Sequence, residues 1–164
     1  MRLQSLLSLA LLALLPACAP SIGDNAPEQV GGDADAVKQC AEGATVRGVD
    51  VSYYQGNIDW NAAHGSGIAF AIARVSDGVG FKDPKFVQNW QGMRDAGVVR
   101  GLYQFFRPKQ DPIAQADLAI ALLDEAGGLQ SGDLPLMLDI EVNDGVAPGT
   151  ILARAQAWLQ HVQE

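Results

Sequence analysis

Cysteine and histidine are scarce in this chain of 164 residues, which holds two of each. Cys18 and Cys40 are too few for a disulfide-dense scaffold or a thiolate metal cluster. His64 and His161 stand too far apart to suggest a histidine-rich metal site. Positive charge is short as well: 11 Lys and Arg against 19 Asp and Glu leave a net charge of −8. No general electrostatic attraction therefore draws the chain to nucleic acid or to anionic lipid. A glycine-rich phosphate loop is also missing. Ser52-Tyr53-Tyr54-Gln55-Gly56, after the first β-prone run, supplies one glycine, and Asp77-Gly78-Val79-Gly80 reads as a turn, which counts against nucleotide-binding folds. What is present is an apolar fraction of 48%, enough to fill a core.

The one long apolar run lies at the start. Arg2 is followed by Leu3 to Leu15, broken only by Gln4, Ser5 and Ser8, and then by Pro16-Ala17. One positive charge, a short apolar stretch and small residues form a secretory signal pattern over residues 1–17, too short for an ordinary membrane span. Leu15-Pro16-Ala17-Cys18 resembles the bacterial lipobox, which implies a lipidated Cys18, a membrane anchor and a place in the bacterial cell envelope. Plain secretion with cleavage near Ala17 or Ala19 is the alternative. Residues 18–45 then read as that cysteine and a flexible acidic linker. Asp24, Glu28, Asp33, Asp35 and Glu42 face a single Lys38, with no sustained apolar period.

From Val46 onward β-prone runs alternate with helical patterns. The strands are expected over Val46–Ser52, Ile68–Ser76, Val98–Phe106 and Leu134–Val142; the second is apolar enough to be buried on both faces. Helices are expected over Asp59–His64, from Asp83-Pro84 to Gly97, from Asp111-Pro112 to Gly127, and over Pro148–Gln163. Asp followed by Pro suits a helix start, and Gly its stop. Ile113, Ala116, Ile120 and Leu123 mark the inner face of the third helix. Strands alternating with helices argue for an α/β fold on a parallel sheet. Trp60, Trp90 and Trp158 fall at helical positions and are expected to pack helices on that sheet.

In parallel α/β folds, reactive groups gather at the carboxyl ends of the strands. Those ends carry Asp50, Arg74 with Ser76, Tyr103 with Phe105, and Asp139 with Glu141. Residues i and i+2 of a strand share a face, so Asp139 and Glu141 are expected side by side, their Cα atoms about 6.6 Å apart. Two carboxyls that close repel as anions, so one keeps its proton while the other ionises. That division supplies a general acid and its partner, as glycosidic bond cleavage requires. Asp50 is a third carboxylate for the same site. Tyr54 could stack on a sugar ring, and Arg74 could pair with a site carboxylate or satisfy a buried acid.

The ordered motifs carry a resemblance. Arg47-Gly48-Val49-Asp50-Val51-Ser52-Tyr53-Tyr54-Gln55-Gly56 with Ile58-Asp59-Trp60 resembles the opening of the glycoside hydrolase family 25 lysozymes, the Chalaropsis-type muramidases. Phe70–Gly78, Asp83-Pro84-Lys85-Phe86 with Asn89-Trp90, Ala96–Phe106 and Leu134–Glu141 resemble that family's next elements in order. The resemblance implies a (β/α) TIM-barrel-like glycosidase fold, with residues 46–164 supplying its first four β-α units. It implies hydrolysis of the β-1,4 bond between N-acetylmuramic acid and N-acetylglucosamine in peptidoglycan glycan strands, with no metal or organic cofactor. By position, Glu141 is the expected proton donor. Asp139 is its stabilising partner and Asp50 the third carboxylate. Tyr103, Tyr54, Arg74 and Phe105 are the expected substrate-binding residues. Gln104 stands where the family commonly has His. Four strands make half of such a barrel, so the chain is expected to be a fragment or a degenerate half-domain; an inactive module that binds the cell wall or a partner is the alternative function.

Overall fold

The computed structural model describes residues 43–163. The expected signal segment 1–17, Cys18, Cys40 and nearly all of the linker 18–45 lie outside these residues. The unit that follows spans Val46–Glu164.

Its sheet is built on β1 (Arg47–Val51), β2 (Ile68–Asp77), β4 (Val99–Phe105) and β5 (Leu136–Asp139), parallel and in the spatial order β1-β2-β4-β5. Between them run the helices α1 (Trp60–Gly65), α2 (Phe86–Asp95) and α3 (Pro112–Glu125), and α4 (Pro148–Gln163) follows β5. This is the repeating order of a (β/α) barrel, and the described residues supply four of its parallel strands. A short β3 (Phe81–Lys82) folds back antiparallel on the end of β2. The sequence reading had no strand there. The Gly78–Gly80 turn makes the reversal, and Gly78 takes a positive φ of 54° with its N–H bonded to Phe105 O at 2.9 Å.

The helix boundaries follow their caps. Asp59 accepts from Ala62 N–H and starts α1; Asp111 accepts from Ala114 N–H and starts α3, with Pro112 in its first turn. Asp83 does not cap α2 as expected. Its carboxylate accepts from Lys85 N–H in the turn before that helix and is committed to a buried ion pair. On α3 the buried residues are Gln115, Ala116, Ala119 and Leu123, while Ile113 faces solvent.

The two faces of the sheet differ. On β2, Ala71, Ala73 and Val75 are fully buried; they share the core with Trp60, Phe86, Trp90, Met93, Phe106 and Trp158. All three tryptophans therefore pack where expected. The opposite face carries Phe70 and Ile72, which stay half-buried, so β2 is not covered on both sides among the described residues. A Cβ on Gly48 would collide with the ring of Phe70, so this glycine lets that ring lie across β1. A hollow of about 630 Å³ lined by apolar Ile120, Leu129, Leu136 and Leu159 lies between α3, α4 and β5.

Candidate active site

The half-open sheet face becomes polar at the carboxyl ends of its strands. Register sets the arrangement. Asp50 pairs with Ile72, Arg74 with Tyr103, Tyr103 with Met137, and Phe105 with Asp139. These side chains point to one side because the alternation of four parallel strands is in phase. They line two adjoining hollows of about 310 and 360 Å³, and Asp50, Tyr103, Asp139 and Glu141 border both. The structure thus brings the three expected carboxylates into one cleft, with Tyr103 between them.

Glu141 arrives there differently from the expectation. β5 ends at Asp139, so Ile140 and Glu141 lie beyond the strand rather than within it. The ladder has one rung left, from Phe106 N–H to Asp139 O at 2.8 Å. Glu141 is exposed at the cleft mouth and Asp139 is half-buried beneath it.

Electrostatics distinguish the carboxyls. Desolvation pushes Asp139 up to about 6; the charges of Glu141 and Asp50 and a hydrogen bond with Glu141 add to the rise, and Arg74 opposes it. Asp139 therefore keeps its proton above the ordinary carboxylate range. Burial also raises the Tyr103 hydroxyl, to about 12; Arg74 opposes the rise, and the charges of Asp50, Asp139 and Asp83 add to it. Tyr103 remains a neutral hydrogen-bond donor at any working pH. Among the described residues, no group of three His, Cys, Asp or Glu is placed to hold a metal ion.

Arg74 takes the second of its two expected roles. It is buried, and its Nε donates to Asp83 at 3.1 Å rather than to a cleft carboxylate. Asp83 also accepts from Tyr53 N–H at 3.0 Å. The guanidinium carbon lies 5.2 to 5.5 Å from the ring centres of Tyr53, Tyr54 and Phe81. Arg74 thus seats an aromatic wall on which Tyr54 is 74% exposed, open to a flat ligand. Phe105 borders the second hollow, with the Arg107 guanidinium 4.7 Å from its ring centre.

Two further cleft residues were missed. Register slips between Arg74 and Ser76, so both Arg74 and Asp77 face the cleft while Ser76 turns outward to Gln104. Asp77 then meets Arg107, whose Nε and Nη2 donate to its two oxygens at 2.5 and 2.8 Å. A β-bulge leaves no mark in apolar periodicity, so simple alternation put Ser76 in place of Asp77. Gln104 points away from the cleft: Nε2 donates to Ser76 Oγ at 2.7 Å and Gln115 O at 2.9 Å, and Oε1 accepts from Trp158 Nε1 at 2.7 Å.

Comparison with known proteins bears on the family and the fold. The profile of Glycosyl hydrolases family 25 matches residues 49–164. Lysozyme M1 of Streptomyces globisporus is 34% identical over 124 residues, covering 73% of this chain and 41% of its own. The N,O-diacetylmuramidase of Chalaropsis sp is 35% identical over 126 residues, covering 71% and 57% respectively. The uncharacterized protein YegX of Escherichia coli K12 is 32% identical over 125 residues, covering 73% and 44%. Among solved structures, a muramidase from Trichobolus zukalii superposes with a TM-score of 0.65 at 29% identity, over 73% of this chain and 60% of that one. The bacterial lysozyme from Streptomyces coelicolor gives 0.64 at 28% identity, over 73% and 58%. This chain spans about half the length of the curated relatives it matches. On the profile match, the relatives and the shared fold, it belongs to glycosyl hydrolases family 25.

Proposed function

We propose that this chain carries the carboxylate machinery of a peptidoglycan hydrolase that cleaves the β-1,4 bond between N-acetylmuramic acid and N-acetylglucosamine. The observation that carries this reading is the convergence of Asp50, Asp139 and Glu141 on one cleft, with Asp139 raised to about 6 by burial and by its acidic neighbours. The relatives named lysozyme and N,O-diacetylmuramidase support the choice of glycan. Glu141, exposed at the mouth, protonates the leaving glycosidic oxygen. Asp139, once ionised, stabilises positive charge developing at the sugar. Tyr103 donates a hydrogen bond from the cleft floor, and Tyr54 stacks on a sugar face. The test is release of reducing ends from purified peptidoglycan by the full-length protein. Glu141→Gln is expected to lower kcat by roughly 100-fold or more; a variant as fast as the parent would remove Glu141 from the acid role.

We also propose that residues 1–17 direct export and that Cys18 is lipidated, with 18–45 as a tether in the cell envelope. Leu15-Pro16-Ala17-Cys18 supports this reading. Cys18→Ala is expected to shift the protein from the membrane to the soluble fraction of a bacterial host; unchanged membrane association would sink the anchor.

A further inference from the structure

Glu141 stands outside the hydrogen-bonded ladder, so something other than the sheet must fix it. Between β5 and α4, residues 140–147 form neither strand nor helix. A turn on Asn143 shapes part of this segment: Gly145 N–H donates to Asn143 Oδ1 at 2.9 Å, and Val146 N–H to Asn143 O at 2.8 Å. At its centre Asp144 adopts a positive φ of 49°, uncommon for a residue with a side chain. That backbone turns the Asp144 carboxylate inward, 3.8 Å from Arg107 Nη1. Among the described residues this is the ion pair that ties the segment to the rest of the domain.

Arg107 is itself held from several sides. Nε and Nη2 form a two-pronged pair with Asp77 at the end of β2. Its N–H donates to Gln115 Oε1 at 2.9 Å, its carbonyl accepts from Gln115 Nε2 at 3.1 Å, and Gln115 is fully buried. Its guanidinium lies over the Phe105 ring. With two nitrogens fixed on Asp77, Nη1 remains on the side that meets Asp144. A lysine could carry the charge but not this fork.

We propose that Arg107 is a positioning residue. Anchored on Asp77, it clamps segment 140–147 through Asp144 and thereby sets where Glu141 stands in the cleft. The catalytic consequence rests on the reading of Glu141 as proton donor; the clamp itself does not.

The experiment measures amide hydrogen exchange and turnover on the same full-length variants: Asp144→Asn, Arg107→Met, Arg107→Lys and the Asp144→Asn/Arg107→Met double. Asp144→Asn keeps shape and tolerates positive φ, so it reports on charge alone without disturbing the Arg107–Asp77 pair. Exchange in 140–147 is expected to rise several-fold in either single variant while the strands keep their protection. The double variant should exchange no faster there than Arg107→Met alone, and Arg107→Lys should fall between it and the parent. On peptidoglycan, kcat is expected to drop roughly tenfold or more with KM little changed, as misplacement of a reacting group predicts. Unchanged exchange in 140–147, or effects that simply add in the double variant, would overturn the clamp. Loosened exchange with unaltered kcat would overturn its positioning role. A parent with no turnover would defeat the hydrolase reading, and the exchange comparison would still decide the clamp.

Discussion

Asp139 and Gln104 occupy opposite faces of the same sheet. Asp139 meets other carboxyls and is left with more negative charge around it than an isolated acid would have. Gln104 is fully buried and satisfied at both ends, joining Ser76 of β2, Gln115 of α3 and Trp158 of α4 to β4. A buried amide bonded this way holds elements in register, because each partner left alone would keep a desolvated polar group. Gln104→Leu preserves bulk but strands the Trp158 N–H and the Ser76 hydroxyl and removes the second bond to the Gln115 carbonyl. A loss of about 2–4 kcal/mol in unfolding free energy is expected, read by urea denaturation of the full-length protein. A loss well below 1 kcal/mol would mean that water replaces the amide, which a site this closed should not allow. Gln104→His brings two ring nitrogens for these three partners and should recover only part of the loss.

At the scale of elements, legibility depended on how local the cause was. Four parallel strands and four helices follow from apolar runs and from short-range chemistry, such as Asp59 and Asp111 capping their helices. The cleft carboxylates were legible for the same reason: strand ends are marked by polar residues after apolar runs. Three features were not legible. The bulge before Ser76 exchanges which of two neighbouring polar residues enters the cleft, and hydropathy reads the same either way. Arg74 is legible as a polar residue near a strand end but could not be matched to Asp83 rather than to Asp139, since the turn through β3 that delivers Asp83 has only two strand residues. The early end of β5 was hidden because Ile140-Glu141-Val142 continues the β-prone pattern; the strand stops there because the pairing stops one rung past Phe105. For the bulge and for β5 the deciding partner lies far along the chain, where spacing carries no information; for Arg74 it lies nine residues on, across a turn.

For the whole molecule, two partly buried carboxyls on opposite ends of the sheet pull stability in opposite directions as pH changes. Asp133 loses some solvation, but hydrogen bonds from Arg100 and Gln130 N–H, together with the charge of Arg100, outweigh that loss and hold it below the ordinary carboxylate range. Arg100 is buried and grips it with two bonds of 2.7 and 2.8 Å. Below its unfolded value of about 3.9, the unfolded chain takes up a proton at Asp133 before the folded one does. Acidification through the folded pKa therefore removes this stabilisation. Asp139 has the opposite sign. Its folded value of about 6 lies above the unfolded one, so the folded state binds the extra proton between about pH 4 and 6, and stability falls as pH rises through that window. The acidic surplus of the chain adds self-repulsion in the same direction as carboxylates ionise. Thermal unfolding of the full-length protein from pH 3 to 8 is thus expected to show the highest Tm near pH 4–5. Asp139→Asn separates the local cause from the global one. It should raise Tm at pH 7 above the parent and flatten the slope between about pH 4 and 6, whereas general repulsion would leave that slope in place. Asp133→Asn should instead flatten the acid flank and lower Tm throughout, since it leaves the buried Arg100 charge unpaired at a cost of about 3–5 kcal/mol. A parent whose Tm climbs steadily from pH 4 to 7, or an Asp139→Asn variant no more stable than the parent at pH 7, would show that the cleft carboxyls are not held at the expense of the fold.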